Sequence, residues 1–174
     1  LPQTAHPYSA AVTRNEFLYV FGGALNSFST NMVERAEIHP FTGSLDNWTY
    51  ENSLNDVRGD AGVAVIGDSI YIIGGNAGSS STQGYTSVEY STFHPIDGSI
   101  QWWQYSTSSL NNEAWYCRAD VWNGYIYATA NGHIEVTTQI SNAPTLQLLA
   151  PNGGEELIAG RTETIEWTST GSIT

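Results

Sequence analysis

Few side chains in this sequence are spaced for covalent or metal chemistry. His39 and His94 each precede a proline at matching points of two similar segments, "HPFTGS" and "HPIDGS". To hold a metal the two imidazoles would have to converge, and equivalent positions of repeated units lie apart, so a turn-capping or strand-end role fits them. Asp56, Asp60, Asp68 and Asp120 are scattered rather than spaced Asp-x-Asp-x-Asp as in a calcium loop, and Asp97-Gly98 reads as a hairpin turn. The lone cysteine, Cys117, excludes an intrachain disulfide and a cysteine zinc site, and it reads as a small buried core residue. No acid/base or nucleophile set is visible, so the sequence assigns no catalytic residue, metal ligand or cofactor. What remains is aromatic: Trp102, Trp103, Tyr105, Trp115 and Tyr116 carry ring faces that could stack on sugars. Trp48 and Trp103 share one repeat position, which points to packing. Trp102 stands where the other copy has Asn47, and Trp115 falls in a connecting segment. Trp102 and Trp115 are therefore the candidate ligand contacts.

The composition narrows the partners. Among 174 residues there are five arginines, no lysine and 17 acidic residues, a net charge of -12. Such a surface repels phosphate backbones and anionic lipid, which argues against nucleic acid and membrane surfaces. A hydrophobic share of 40% with 12% aromatics is too high for a disordered chain. No apolar run approaches the roughly 18 residues of a membrane span. The sequence opens on Leu1 with no signal-peptide pattern, the expectation being a processed or shortened product.

Self-similarity then supplies the elements. "NEFLYVFGG" (15–23) matches "GDSIYIIGG" (67–75), with Tyr19 and Tyr71 52 positions apart, and "WNGYIYATAN" (122–131) follows, with Tyr127 56 after Tyr71. Downstream, "VERAEIHPFTGSLDNW" (33–48) aligns with "VEYSTFHPIDGSIQWW" (88–103) at a constant offset of 55. Two blocks in register establish a repeat of about 50 residues. Each unit reads as four strands: a small apolar one ("DAGVAVI"), a two-residue turn, "SIYIIGG", a loop, "TSVEYSTFHP", a turn, and "SIQWWQYS". Alternation in the third strand places Val88, Tyr90 and Thr92 on one face. Four antiparallel strands at this period are the signature of a β-propeller blade.

These residues resemble the kelch-repeat family, which is marked by an apolar strand ending in Gly-Gly, then a tyrosine-bearing strand and a tryptophan. The motif residues are Gly22, Gly23, Trp48, Gly74, Gly75 and Trp103. The resemblance is nearest to kelch repeats of large bacterial extracellular proteins. It implies an all-β fold with two complete four-stranded blades near 8–54 and 60–110 and a three-stranded blade near 117–140, all within a propeller portion spanning 1–141. In the third copy Ala130-Asn131 replace the doublet and "TANGHIEVTTQI" gives a tight Asn-Gly hairpin. Galactose-oxidase-like kelch enzymes use a cysteine-crosslinked tyrosine near copper, but adjacent residues of a strand point to opposite faces, so Tyr116-Cys117 does not supply that pair.

A ring needs four to eight blades, so the remaining blades are expected upstream or from other chains, upstream being favoured. After an Asn/Pro linker at 142–145, the segment 146–174 resembles the start of a bacterial immunoglobulin-like β-sandwich module. That resemblance rests on Pro151, Asn152, Gly153, Gly154, Glu155, Gly160, Ile165, Trp167, Ser169 and Gly171. Together the resemblances imply a non-enzymatic scaffold or adhesion protein, secreted or at the cell surface, presenting loops to a protein or glycan. The alternative is a propeller enzyme, carbohydrate-active or galactose-oxidase-like, with its site on blades outside this sequence.

Overall fold

A computed structural model describes residues 6–25, 28–78 and 84–137, together with the backbone of 145–150 and 166–170. The chain divides into two units, 1–139 and 140–174. In the first sheet β1 (Ala10–Arg14) pairs antiparallel with β2 (Phe17–Phe21). A short hairpin follows, β3 (Ala24–Leu25) and β4 (Phe28–Ser29). The chain then returns to the sheet as β5 (Val33–Ile38) and β6 (Leu45–Tyr50), in spatial order β1-β2-β5-β6. The second sheet repeats this plan with β7 (Gly62–Ile66), β8 (Ser69–Ile73), β9 (Val88–Thr92) and β10 (Gln104–Tyr105). The third has three strands, β11 (Arg118–Trp122), β12 (Tyr125–Ala130) and β13 (His133–Val136). In the second unit β14 (Thr145–Ala150) pairs with β15 (Glu166–Thr170). The linker 142–145 lies largely outside the described residues, as do the motif positions 151–155, 160, 165 and 171.

β7 contacts both β1 and β11, so the first strands of the three sheets are the innermost and the sheets are blades side by side. Every blade has two ends. Two-residue turns at Asn15-Glu16, Gly67-Asp68 and Asn123-Gly124 mark the hairpin end, and the segments joining one blade to the next lie at the opposite, connector end. Positive φ at both Asn123 (49°) and Gly124 (79°) gives the type I′ turn that matches the strands' twist. The Asn131-Gly132 turn, with φ of 51° and 79°, does the same where the first two blades carry long loops.

Two properties of the doublets explain why glycine is needed there. Gly22 and Gly74 have φ of 59° and 61°, and Gly23 and Gly75 have 95° and 88°, a region that side-chain-bearing residues enter at a cost. Neighbouring backbone also presses on them. A Cβ on Gly22 would collide with the carbonyl of Arg58, and one on Gly74 would lie 2.7 Å from both Cβ and O of Ala114. Arg58 and Ala114 occupy one repeat position, in the connector leading to the next blade. That approach is used: the Gly23 amide donates to Arg58 O (2.8 Å) and the Gly75 amide to Ala114 O (2.6 Å). Each doublet thus joins its blade to the following connector through the main chain.

Between blades 1 and 2 the core is aromatic. Tyr19 meets Phe93 edge-on at 5.0 Å and donates its hydroxyl to Gly98 O (2.8 Å). Phe21 meets Trp103 edge-on at 6.0 Å, and Trp103 donates its indole N–H to Asn52 O (2.8 Å). Each buried ring contributes roughly 1.5–3 kcal/mol by leaving water, and the edge-on pairs add about 0.5–1.5 kcal/mol. Trp103 is buried between blades, whereas Trp48, its equivalent in blade 1, is half-buried. Two sequence expectations change here. The fourth strand of blade 2 is confined to Gln104–Tyr105. On β9 the polar residues Glu89 and Ser91 are buried more deeply than Val88, Tyr90 and Thr92, because blades cover both faces and the polar face meets a charged partner.

That partner is Arg58, 1% exposed, facing Glu89, 0% exposed. Arg58 Nε donates to Glu89 Oε1 at 2.9 Å. Its Nη1 donates to Gly74 O (2.6 Å) and Ser87 O (3.1 Å), and its Nη2 to Ser87 Oγ (2.7 Å) and Asp56 Oδ2 (3.3 Å). The carboxylate also accepts the amides of Asn55 (2.6 Å) and Asp56 (3.1 Å). A buried charge survives only when paired and fully hydrogen-bonded, and this pair meets both conditions.

Two stability measurements follow. Gly74→Ala adds a backbone clash to the strain of its positive φ and is expected to cost more than about 3 kcal/mol, whereas Gly43→Ala, at φ 71° with nothing within 4 Å, costs only the roughly 1–2 kcal/mol of the left-handed conformation. Urea unfolding midpoints compare the two. Arg58→Ala leaves Glu89 charged and uncompensated, and is expected to cost about 3–5 kcal/mol in the same assay.

Candidate functional site

The connector end gathers the residues best placed to meet a ligand. Superposing the connectors on the repeat puts Tyr8, Asp60 and Tyr116 at one position, just before the innermost strand of each blade. All three adopt left-handed backbone, with φ of 66°, 55° and 57°. That conformation is uncommon for residues with a side chain, least so for Asn, Asp and His, and for a bulky residue it is an outlier. Such strain persists where the surrounding structure over-determines it, and it concentrates at functional sites. Main-chain bonds do the fixing here: the Asp60 amide donates to Tyr8 O (2.7 Å) and the Cys117 amide to Asp60 O (2.8 Å).

The side chains at this position differ in depth. Tyr8 and Tyr116 are more than half exposed, while Asp60 is buried. Asp60 Oδ2 accepts from the side-chain amide of Asn76 (3.3 Å), whose Oδ1 accepts the Gly78 amide (3.1 Å). Asn76 is anchored by reciprocal main-chain bonds with Gly59 at 2.9 Å. A Cβ on Gly59 would meet Ser29 Oγ at 3.0 Å, Asn76 Oδ1 at 3.7 Å and Tyr8 Cβ at 3.8 Å, so Tyr8, Ser29 and Asn76 surround that glycine. Phe28, largely exposed, bridges to Gly78 at the rim. The result is a polar floor of Asp60 and Asn76 beside exposed phenol and phenyl rings. Rings bind apolar faces, and the amide and carboxylate exchange hydrogen bonds with hydroxyls or backbone.

The residues singled out from sequence are not brought together. Trp115 is half-buried in the connector next to Tyr116. Trp102 is 78% exposed on the outer part of blade 2, its carbonyl facing Ser91 Oγ. His39 and His94 lie at the hairpin end. His39 Nδ1 accepts the amides of Phe41 (3.4 Å) and Thr42 (3.3 Å) in its own turn, and His94 Nδ1 lies 3.0 Å from Asp97 Oδ1. Asp97 Oδ1 also accepts the amide (2.9 Å) and hydroxyl (2.8 Å) of Ser99, and these bonds hold its carboxyl below the usual range. Cys117 is buried against Gly62, and that burial pushes its thiol above the ordinary value. Tyr116, adjacent to it, is exposed. Among the described residues no group of three His, Cys, Asp or Glu side chains is gathered for a metal. Sequence reasoning passed over Tyr8, Asn76 and Phe28, and weighed Asp60 only as one of the scattered aspartates of a calcium loop. Only the alignment of the connectors carries a signal for Tyr8 and Asp60 at this site.

A second recurring device borders this end. Glu135 stands at the repeat position of Glu89 and accepts the amides of Asn111 (2.7 Å) and Asn112 (2.9 Å), the equivalents of Asn55 and Asp56. Both asparagine side chains donate to it as well, at 3.1 Å. Partial burial pushes the Glu135 carboxyl up, but the four hydrogen bonds together outweigh it and hold the group below its ordinary value.

No protein-family model matches the chain, and no curated protein matches it in sequence. Solved structures do match its fold. A fungal alcohol oxidase of the AA5 family, in complex with copper, superposes with a TM-score of 0.59 at 16% identity, over 74% of this chain and 28% of the oxidase. YjhT superposes with a TM-score of 0.56 at 15% identity, over 98% of this chain and 47% of YjhT. The chain therefore spans less than half the length of either protein. Both neighbours are β-propeller-like, and the chain is all-β with the same kind of antiparallel blades.

A depressed carboxyl stabilises the fold above its unfolded value, about 4.3 for Glu, and that contribution is lost as pH falls through the folded value. Glu135→Gln is expected to lower the unfolding midpoint at pH 7, and the gap to the parent should narrow steadily toward pH 3. A gap independent of pH would contradict the assignment.

Proposed function

We propose that this chain is part of a non-enzymatic, kelch-type propeller of an extracellular or cell-surface protein, and that its connector end binds an uncharged, hydroxyl-rich ligand surface, glycan or protein. The observation that carries this reading is the left-handed position shared by Tyr8, Asp60 and Tyr116. Two of its three occupants expose aromatic rings, and the backbone that strains them is fixed by hydrogen bonds between connectors. Amphipathic rings with few rotatable bonds bind at low entropic cost. The net charge of -12 disfavours an anionic ligand. The motif residues quoted from the sequence, including the Gly22-Gly23 and Gly74-Gly75 doublets, support the kelch assignment. The "PNGGE" pattern at 151–155 supports an immunoglobulin-like module after the blades.

Glycan-array screening, followed by titration of the best ligand with tryptophan fluorescence as the signal, tests the site. Tyr116→Ala is expected to weaken binding about tenfold or more, equivalent to about 1.4 kcal/mol. Trp102→Ala should leave it unchanged. Loss of binding in Trp102→Ala alone would move the site to the outer edge of blade 2, and stoichiometric copper in the purified protein would favour the enzyme reading.

A further inference from the structure

The connector before blade 3 lacks a side chain on which the connector before blade 2 depends. On the repeat, Ala114 takes the position of Arg58 and Glu135 that of Glu89, and Ala128 replaces Ile72 opposite the carboxylate. The two exchanges for alanine remove a guanidinium with its stem and most of an isoleucine. An open cleft of about 200 Å³ lies in their place, with Leu110, Ala114, Ala128 and Ala130 as its apolar wall. The carboxylates of Glu113 and Glu135 and the imidazole of His133 line it as well. In blade 2 the guanidinium of Arg58 also lies over the ring of Tyr85, 4.8 Å from its centroid, in the long loop before β9. Blade 3 replaces that loop with the Asn131-Gly132 turn, so no ring stands in Tyr85's place and the cleft stays open.

The hydrogen bonds of Glu135 are met, but its charge is not. Asn111 and Asn112 supply four neutral N–H donors, and among the described residues no ion pair includes Glu113 or Glu135. At the same position in blade 2, Glu89 receives two connector amides and a guanidinium. The Asn111 and Asn112 side chains are exposed, so either can turn to water and give up its place, 3.1 Å from the carboxylate, without stranding a buried group. A guanidinium N–H in that place makes a charge-assisted bond, roughly twice as strong as a neutral one. His133 stands at the position of Ser87, whose Oγ accepts from Arg58 Nη2, and a neutral imidazole likewise keeps one acceptor nitrogen. The wall of alanines and Leu110 suits the methylene stem of a long cationic side chain.

We propose that this cleft takes an arginine side chain of a second polypeptide, its guanidinium seated against Glu135 as that of Arg58 is against Glu89. The volume fits one side chain and falls below the roughly 300–1,000 Å³ of sites for drug-sized ligands. Arginine suits it better than lysine because a planar fork reaches a carboxylate and its neighbours together, as Arg58 reaches Glu89, two carbonyls and a hydroxyl. The net charge of -12 speeds the approach of a cationic partner. Tyr8, Asp60 and Tyr116 do not line the cleft, so this site and the aromatic one stand or fall separately.

Titration of the full chain with N-acetylarginine amide, followed in amide proton–nitrogen NMR spectra, tests this. Saturable shifts are expected at the Asn111 and Asn112 amides. N-acetylcitrulline amide, of the same shape but uncharged, and N-acetyllysine amide, charged but without the fork, should each bind about tenfold more weakly or less. Glu135→Gln should weaken arginine binding by about tenfold or more. Ala114→Arg returns the missing side chain, and is expected to abolish the titration and raise the urea unfolding midpoint above the parent's. The same spectra report whether each variant is folded, and the three probes on the parent chain decide the matter if one is not. Citrulline binding as tightly as arginine would mean that shape alone is recognised, and overturns the proposal. So does equal binding of lysine, or a response that never saturates and survives Glu135→Gln, since either is general attraction to an acidic surface. A folded Ala114→Arg that still binds the probe as the parent does would place the ligand elsewhere and overturn it as well.

Discussion

A blade is a flat element with apolar residues on both faces, and nothing within it fixes its angle to the next blade. In this chain the buried Arg58–Glu89 pair does so for blades 1 and 2. The arginine belongs to the connector and the carboxylate to the middle of the following blade. The same guanidinium also reaches the carbonyls of Gly74 and Ser87, so one side chain ties the connector to two strands. Removing either charge would leave the other buried without its counter-charge. Rings such as Tyr19 and Trp103 tolerate small shifts at modest cost. The ion pair does not, and it sets the register on which the aromatic contacts and the connector-end hydrogen bonds depend.

Blade 3 meets the same requirement without an arginine. Ala114 takes the place of Arg58, and Glu135 is satisfied by two amides and two asparagine side chains. Half of the arrangement is therefore constant: a carboxylate that receives two successive connector amides. The cation is the variable half. Exposure follows the same division, since Glu89 is fully buried and Glu135 only partly so.

Much of the fold was legible in the sequence because the repeat is written in residue types with strict backbone or packing requirements. The Gly22-Gly23 and Gly74-Gly75 doublets marked positions where a Cβ has no room, and Asn131-Gly132 marked a tight turn. Strand lengths were less legible: β10 covers two residues because the segment before it turns inward to bury Ile100 and Trp103. The candidate site was mostly hidden. Trp102 and Trp115 stood out as aromatic exceptions to the repeat, yet they sit on different parts of blade 2 and its connector. Tyr8 and Asp60 gave no chemical signal by themselves. Their kinship with Tyr116 lies in a shared φ, which a residue name does not reveal unless the residue is glycine.

The connectors are held by main-chain groups: Gly23 to Arg58, Gly75 to Ala114, Asp60 to Tyr8. A main-chain bond is indifferent to the side chain its residue bears. The carbonyls of Pro7 and Gly59 therefore accept alike, from the amides of Ala24 (2.8 Å) and Asn76 (2.9 Å), and tyrosine and aspartate succeed one another at 8, 60 and 116 without altering how the blades join. Inheritance can edit these positions one at a time. The end of the molecule under the tightest geometric control is, for that reason, the one whose chemistry is freest to diverge.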